Sequence, residues 1–558
     1  MKNRIKYLAA LVVLSAMLTT TFSNNLPGEP VKALTIVKSN VEVSENIANP
    51  PVNNSVEVVQ LTFSEALDKA TLQGSVKLFK IDTKGIAAEV PCWLRLDYNN
   101  HAVLNINTKP VQKFAEGEEY KVEISGNLKS KSGATMGGGS SLYFATNVAP
   151  GLSGTGKPDV KRNKIVVISD IHLGMDSKFA EINKNFENLV DLLTKVRTSP
   201  DVKELVIGGD LMDQWFIPMN YKTPVDEAAF VDAIAANNKP FVDAVVAIIK
   251  DGKIKVTYAP GNHDLTVKES DIARVFPGIN QARGSVQGLG EYVTGEKNSI
   301  VIEHGHKYNF FCAPDQISIR KTTKNTTSIM PPGYFFTRIA TSSIVQGKPK
   351  TENTFPLYNI DKNDPEQLLL NYYYMTWKGI LETLPVKEIF AEKVIVTNID
   401  GMNDTYAMSD VIPQFNAKTG KFSVNVYDGL VTSWEKRQEM NGVKVKNSAA
   451  DAILGANDDD LTDLQAKLQY FDTDISKRIV IFGHTHKAKV VPFENLKGQK
   501  TIYANSGTWI DHSLNYPNST FVVITEGGND SPLTFVNLYQ YTGNGTVTQW
   551  GTAQALTH

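Results

Sequence analysis

Five apolar runs in this chain end in the same kinds of residue, and that recurrence restricts the fold more than any bulk property. Ile165-Val166-Val167-Ile168 leads to Asp170-Ile171-His172, and Glu204-Leu205-Val206-Ile207 leads into Gly208-Gly209-Asp210-Leu211-Met212-Asp213. Ile254 to Ala259 precedes Gly261-Asn262-His263-Asp264. Ser299-Ile300-Val301-Ile302 precedes His304-Gly305-His306, and Ile479-Val480-Ile481-Phe482 precedes Gly483-His484-Thr485-His486. Short apolar runs closed by tight turns read as buried strands. A carboxylate or imidazole at a strand's carboxyl end is well placed to hold a metal ion or move a proton. A single Gly-Asp after a strand is ordinarily just a turn. Here six of the nine histidines of the chain fall in the five motifs, which separate turns would not explain.

Between these strands the pattern turns helical. Asp176-Ser177 can cap a helix carrying Phe179, Ile182, Phe186, Leu189, Leu193 and Val196, and Phe241, Val245, Ile248 and Ile249 mark another before Gly252. Strands alternating with helices imply an α/β domain with its ligands at strand carboxyl ends. The ordered set of motifs resembles the calcineurin-like metallophosphoesterase superfamily from about Lys164 to Thr525, interrupted by a long insert. That resemblance implies a two-sheet α/β sandwich with mixed sheets, in place of a single parallel sheet.

It also implies a division of labour. Asp170, His172 and His486 would hold one divalent ion, Asn262, His304 and His484 a second, and Asp210 would bridge them. His263 would protonate the leaving oxygen or stabilise the transition state, with Asp264 orienting it. Asp213 is expected to support a ligand rather than be one, and His306 likewise. Two cations about 3.5–4 Å apart clamp a phosphate and acidify a bound water, so the expected reaction is hydrolysis of a phosphomonoester or phosphodiester by metal-bound water or hydroxide. Mixed imidazole and carboxylate ligands suit manganese, iron or zinc better than magnesium or calcium.

The insert, about 307–477 within a domain of 162–545, carries Met330-Pro331-Pro332-Gly333-Tyr334-Phe335-Phe336 and a helix around Glu366 to Leu384. Tyr372, Tyr373, Tyr374 and Trp377 read mainly as core. Placed directly after a ligand motif, the insert is expected to cover the mouth of the site and set substrate choice. Tyr503 to Trp509 resembles the strand and turn that close the fold; His512 follows it without an assigned role.

Ahead of this domain, residues 41–148 show short strands at near-regular spacing, among them Val56 to Phe63, Cys92 to Leu96 and Tyr120 to Ile124. Turn residues separate them, the pattern of an all-β antiparallel sandwich. This part resembles the immunoglobulin-like domains of bacterial surface proteins. It holds no titratable cluster, His101 standing alone, so a spacer or adhesion role is expected. Residues 149–161 read as a linker. Lys2, Arg4 and Lys6 before an apolar run and Thr21-Phe22-Ser23 read as a signal peptide over 1–23, hence a secreted, periplasmic or cell-surface protein.

With 57 Lys and Arg against 59 Asp and Glu, nothing argues for a nucleic-acid partner. Two cysteines, Cys92 and Cys312, exclude a disulfide framework. Two alternatives remain: hydrolysis of a nucleotide- or lipid-linked pyrophosphate, and a surface-binding protein with a non-catalytic core. Oligomeric state is open.

Overall fold

The computed structural model describes residues 33–152, 161–323, 327–456, 458–513, 516–528 and 531–557. The expected signal peptide over 1–23 and most of the linker lie outside the described residues. Among the described residues no helix is long and apolar enough to cross a membrane.

The N-terminal region is all-β. A four-stranded sheet, in the order Ile36–Ser39, Val59–Phe63, Val103–Thr108, Cys92–Leu96, faces a five-stranded one, in the order Val52–Asn53, Ser140–Thr146, Glu119–Ile124, Val76–Ile81, Ala87–Val90. Alternation explains the layering: Val59, Leu61 and Phe63 point inward while Gln60 and Thr62 between them stay half-exposed. They meet Leu78, Val122 and Phe144 of the other sheet. Strand Ile36–Ser39 lies ahead of the expected start of this domain. It pairs antiparallel with Val59–Phe63.

The larger region has two sheets stacked face to face. An eight-stranded sheet runs Asn280–Gln281, Lys255–Ala259, Val202–Gly208, Lys164–Ile168, Thr520–Thr525, Leu533–Tyr541, Val547–Gln549, with Gln554–Thr557 also paired to Leu533–Tyr541. A five-stranded sheet runs Glu291–Thr294, Ile300–Glu303, Ile479–Phe482, Lys500–Asn505, Lys489–Glu494. Both are mixed: Lys164–Ile168 is parallel to Val202–Gly208 but antiparallel to Thr520–Thr525. The apolar runs are continuous because both faces of their strands are covered. Ile165 and Val167 enter the core between the sheets with Ile300, Ile302, Ile479 and Ile481. Val166 and Ile168 face the helices Phe186–Thr198 and Lys239–Asp251.

The helix expected from Asp176 begins later, at Phe186. The Asp511 carboxylate accepts the backbone N–H groups of Asn183, Lys184 and Asn185 at 2.9, 2.7 and 3.2 Å, fixing that stretch as a turn. Phe179 and Ile182 are still buried in the same core, but from a loop.

The insert has its own aromatic core, joining Tyr334 and Phe335 of helix Pro332–Val345 to Tyr373 and Trp377 of helix Pro365–Leu381. Trp215 and Met219, from the loop after Asp213, complete it. Arg338, wholly buried, locks the two parts together. Its guanidinium donates to the carbonyls of Ile217 (2.8 Å), Pro218 (2.9 Å), Met219 (3.0 Å) and Val396 (3.0 Å). A buried cation is tolerable only when its donors are used in this way. The β-sandwich docks on strands Leu533–Tyr541 and Gln554–Thr557 of the eight-stranded sheet, Ala145 against Leu533, Phe535 and Ala555, and Asn537 Nδ2 donates to Asn147 Oδ1 at 3.0 Å. Both cysteines are free thiols.

Candidate metal centre

The carboxyl ends of Lys164–Ile168, Val202–Gly208 and Lys255–Ala259 in one sheet, and of Ile300–Glu303 and Ile479–Phe482 in the other, come together at one edge of the sandwich. His304 Nδ1 donates to Gly208 O at 2.9 Å and so ties the two sheets together at that edge. The glycines of the motifs are there for space as much as for turning. At Gly209, φ +96°, a Cβ would stand 2.5 Å from His304 Nδ1. At Gly261 and Gly483 it would strike the carboxylates of Asp210 and Asp170.

Five residues of the motifs adopt positive φ without being glycine: Asp170 (51°), His172 (54°), Asp210 (49°), His484 (69°) and His486 (59°). Side chains rarely accept this conformation, and such strain concentrates at functional sites. Loop-to-loop hydrogen bonds hold it in place. Ile171 N and His172 N donate to Asp210 O at 2.9 and 3.0 Å, and Trp509 N and Thr508 Oγ1 each donate to Asp170 O at 3.0 Å.

Among the described residues, four overlapping groups could hold a metal ion, each with ligand atoms within 4.8 Å of one another: Asp170, His172 and His486; Asp170, Asp210 and His304; His172, Asp210 and His263; and His172, Glu181 and Asp213. His486 Nε2 lies 3.2 Å from Asp170 Oδ1 and 3.2 Å from His172 Nε2. Asp210 Oδ2 lies between His304 Nε2 at 3.0 Å and His172 Nε2 at 3.7 Å. Asn262 Oδ1 is 2.9 Å from His484 Nδ1, whose ring is 5.4 Å from that of His304. The expected set thus converges on a single cluster around Asp210.

The donor set suits divalent cations. His172 Nδ1 is engaged by Asp213 Oδ2 at 2.9 Å and His304 Nδ1 by a carbonyl, so in the neutral rings each Nε2 keeps its lone pair. His304 Nε2 is buried and makes no hydrogen bond despite its neighbour Asp210. Without cations, protons stand in. Burial works against charge on His172, but the Asp213 hydrogen bond and the Asp210 carboxylate outweigh it and push its pKa up to about 10. Burial is likewise overcome at His304 by Asp210 and Asp170, to about 9. At His484 burial and the charge of His304 push the pKa down to about 3.

One expected pairing is not made. Asp264 does not orient His263; its carboxylate accepts backbone N–H groups from Gly261 (2.6 Å) and Leu211 (2.9 Å), stitching two ligand loops together. The carboxylate on His263 is Asp213, whose Oδ1 is 2.8 Å from His263 Nδ1 while its Oδ2 serves His172. Backbone N–H groups of Trp215 and Phe216, at 2.8 and 2.7 Å, pin Asp213 in turn. The chain reverses sharply after His263, which leaves its neighbouring carboxylate facing the backbone. His306 is buried beside His304, both ring nitrogens without a partner, and joins none of the four groups. His512 is exposed. His101 is far from this cluster in the β-sandwich, beside Lys131 at 2.8 Å.

Two contributors had no signal in the motifs. Glu181 Oε2 is 3.6 Å from His172 Nδ1, and Trp215 lies against His263 with ring centroids 4.8 Å apart. Access is uneven: the side chains of His486 and His263 are 27% and 13% exposed, while Asp170 and His304 are sealed.

Fold and site together define a two-sheet α/β domain with a carboxylate–imidazole cluster at its strand ends. Residues 163–341 match the family model described as calcineurin-like phosphoesterase, and residues 18–146 match that of the bacterial Ig-like domain. Over those residues the chain is similar to calcineurin-like phosphoesterases, and ahead of them to bacterial Ig-like domains. No curated protein matches it. Solved structures matched in part include the surface layer protein SbsC, domains 1–6, at 16% identity over 22% of this chain and 15% of that one, TM-score 0.13. Another is the native form of E. coli alpha-2-macroglobulin, at 14% identity over 30% of this chain and 10% of that one, TM-score 0.15. Overlaps so small carry no argument about this chain.

Proposed function

We propose that this protein hydrolyses a phosphomonoester or phosphodiester with the help of two divalent cations, manganese, iron or zinc. The observation that carries the reading is the convergence of Asp170, His172, His304 and His486 around the Asp210 carboxylate, with Asn262 and His484 alongside. Asp170, His172 and His486 would hold one cation, Asn262, His304 and His484 the other, and Asp210 both. Bound there, the cations neutralise phosphoryl charge and supply a water acidic enough to attack phosphorus at neutral pH. The chain's own contribution is orientation and proton transfer. Asp213 fixes His172 and His263 together through its two oxygens. With Nδ1 engaged, His263 holds its transferable proton at Nε2. Burial disfavours that charge, but Asp213 and Asp210 raise the pKa of the ring. As the phosphorus–oxygen bond breaks, that proton passes to the departing oxygen.

Export to the cell surface or beyond belongs to the same proposal, supported by the Ig-like domain and by Lys2, Arg4 and Lys6 ahead of an apolar run. The test is elemental analysis of the purified protein with hydrolysis assays on mono-, di- and pyrophosphate esters. About two ions per chain and turnover of an ester support it. A chain that binds no transition metal and turns over none of them is a binding protein instead.

A further inference from the structure

Beside His263 and Asn262 the insert closes a pocket of about 160 Å³. Its floor is Trp215, Gly333 and Trp377, all buried, and its rim is Phe336, Thr376 and Ile380, all partly exposed. Among the described residues, no Lys, Arg, Asp or Glu side chain lines it. Some of the polar groups it does contain are spent within the protein, whereas the buried indole N–H groups of Trp215 and Trp377 make no hydrogen bond. Thr376 Oγ1 donates to Tyr372 O at 3.1 Å, and the Asn309 amide accepts from Phe311 N at 2.9 Å and donates to Ala456 O at 3.4 Å. Burial pushes the Cys312 thiol up, leaving it neutral. The pocket is continuous with the site because His263 and Asn262 belong to both.

We infer that this pocket receives the leaving group, and that the substrate is an ester of phosphate with an uncharged alkyl or aryl alcohol. The inference rests on the phosphoesterase reading and narrows it. Three arguments carry it. The pocket adjoins the one imidazole placed to protonate a departing oxygen. Its walls are aromatic and aliphatic, and a cavity of about 150 Å³ with such walls accommodates a benzene-sized group. A polyol, a nucleoside or a second phosphate would lose its hydration here with few groups to replace it, and a second phosphate would find no cationic side chain. Gly333 allows the close approach of walls, since a Cβ there would press on Phe311 O and Trp215.

The test is kcat/KM of the metal-loaded full chain on methyl, butyl and hexyl phosphate and on glycerol phosphate. Alkoxide leaving ability is nearly constant along the alkyl series, so a trend reports on the pocket. Burial of one methylene corresponds to about a fourfold gain, so hexyl over methyl phosphate, five methylenes longer, should gain up to roughly 1,000-fold where all are buried. Glycerol phosphate should be no better than methyl phosphate. Ile380→Trp, which fills the rim, should reduce the hexyl-to-methyl ratio to a few-fold. A flat series, or preference for the glycerol ester, overturns the inference. If no ester is hydrolysed at all, the phosphoesterase reading fails first. Calorimetry then compares hexylphosphonate with methylphosphonate in the same preparation. Binding at least tenfold tighter for hexyl upholds the pocket as an apolar site, and equal or absent binding overturns it.

Discussion

Asp213 keeps the supporting role that sequence suggests for it and takes over the one suggested for Asp264. Asp264 adjoins His263 in the chain yet bonds Gly261 N and Leu211 N, whereas Asp213 reaches both His172 and His263. Their variants should therefore fail differently. Asp213→Asn should cost about 10–100-fold in activity, the usual effect of losing a carboxylate behind a ligand imidazole. Its loss should also be greater on an alkyl than on a nitrophenyl ester, because alkoxide needs the proton that His263 carries. Asp264→Ala should instead cost stability, about 1–3 kcal/mol for each buried N–H left without an acceptor, measured by urea denaturation. An Asp264 variant with an altered leaving-group dependence and unchanged stability would refute this division. The same cluster sets a pH dependence. His172 and His304 have folded pKa values raised to about 10 and about 9, against about 6.5 unfolded. Between those values the folded chain binds more protons, so its stability falls as pH rises. Metal-stripped protein should be stabilised fully below about pH 6.5 and lose that increment as pH climbs through 9 to 10. Thermal melting across this range, with chelator present, checks the sign. Metal-loaded protein should be flatter, since cations replace those protons.

At the scale of elements, the five site strands were legible because a buried strand writes its own signature: a short apolar run, then a tight turn. The helix Lys239–Asp251 was also legible, ending at Gly252 in the left-handed conformation at φ 65°. The start of the helix Phe186–Thr198 was not, because the cap comes from Asp511, remote in sequence. The insert is held to the core by Arg338, whose four carbonyl partners lie in two separate segments. Arg338→Leu removes the donors and strands those carbonyls, at about 1–3 kcal/mol each where no water enters. The variant should unfold at lower urea, and its insert should be cleaved by protease before the β-sandwich. Unchanged denaturation would mean that Arg338 is not what joins insert to core.

For the whole molecule, the β-sandwich contributes no side chain to the four metal-competent groups, all of which lie at or after Asp170. Its apolar contact is with strands Leu533–Tyr541 and Gln554–Thr557, through Ala145, Leu533, Phe535 and Ala555. A chain starting near Lys161 should therefore keep its turnover of an aryl phosphate within a few-fold. Its midpoint should drop, because an apolar face that was covered is now wet. If the truncated, folded and metal-loaded chain is inactive, the sandwich has a part in the site that its position does not reveal.

Sequence alone determined which residue types stand at the strand ends, because short apolar runs, tight turns and ligand chemistry are local and survive without knowledge of the fold. It also determined that an all-β region comes first, through short alternating strands with turns between them. Tertiary structure decided the rest. Which carboxylate reaches which imidazole depends on how two loops are stitched, and Asp213 and Asp264 have nearly the same local credentials. The positive φ of Asp170, His172 and Asp210 is imposed by neighbouring loops rather than by the residues themselves. The apolar pocket exists only because Trp215 and Trp377, far apart in the chain, are packed by the insert's core onto one side of His263.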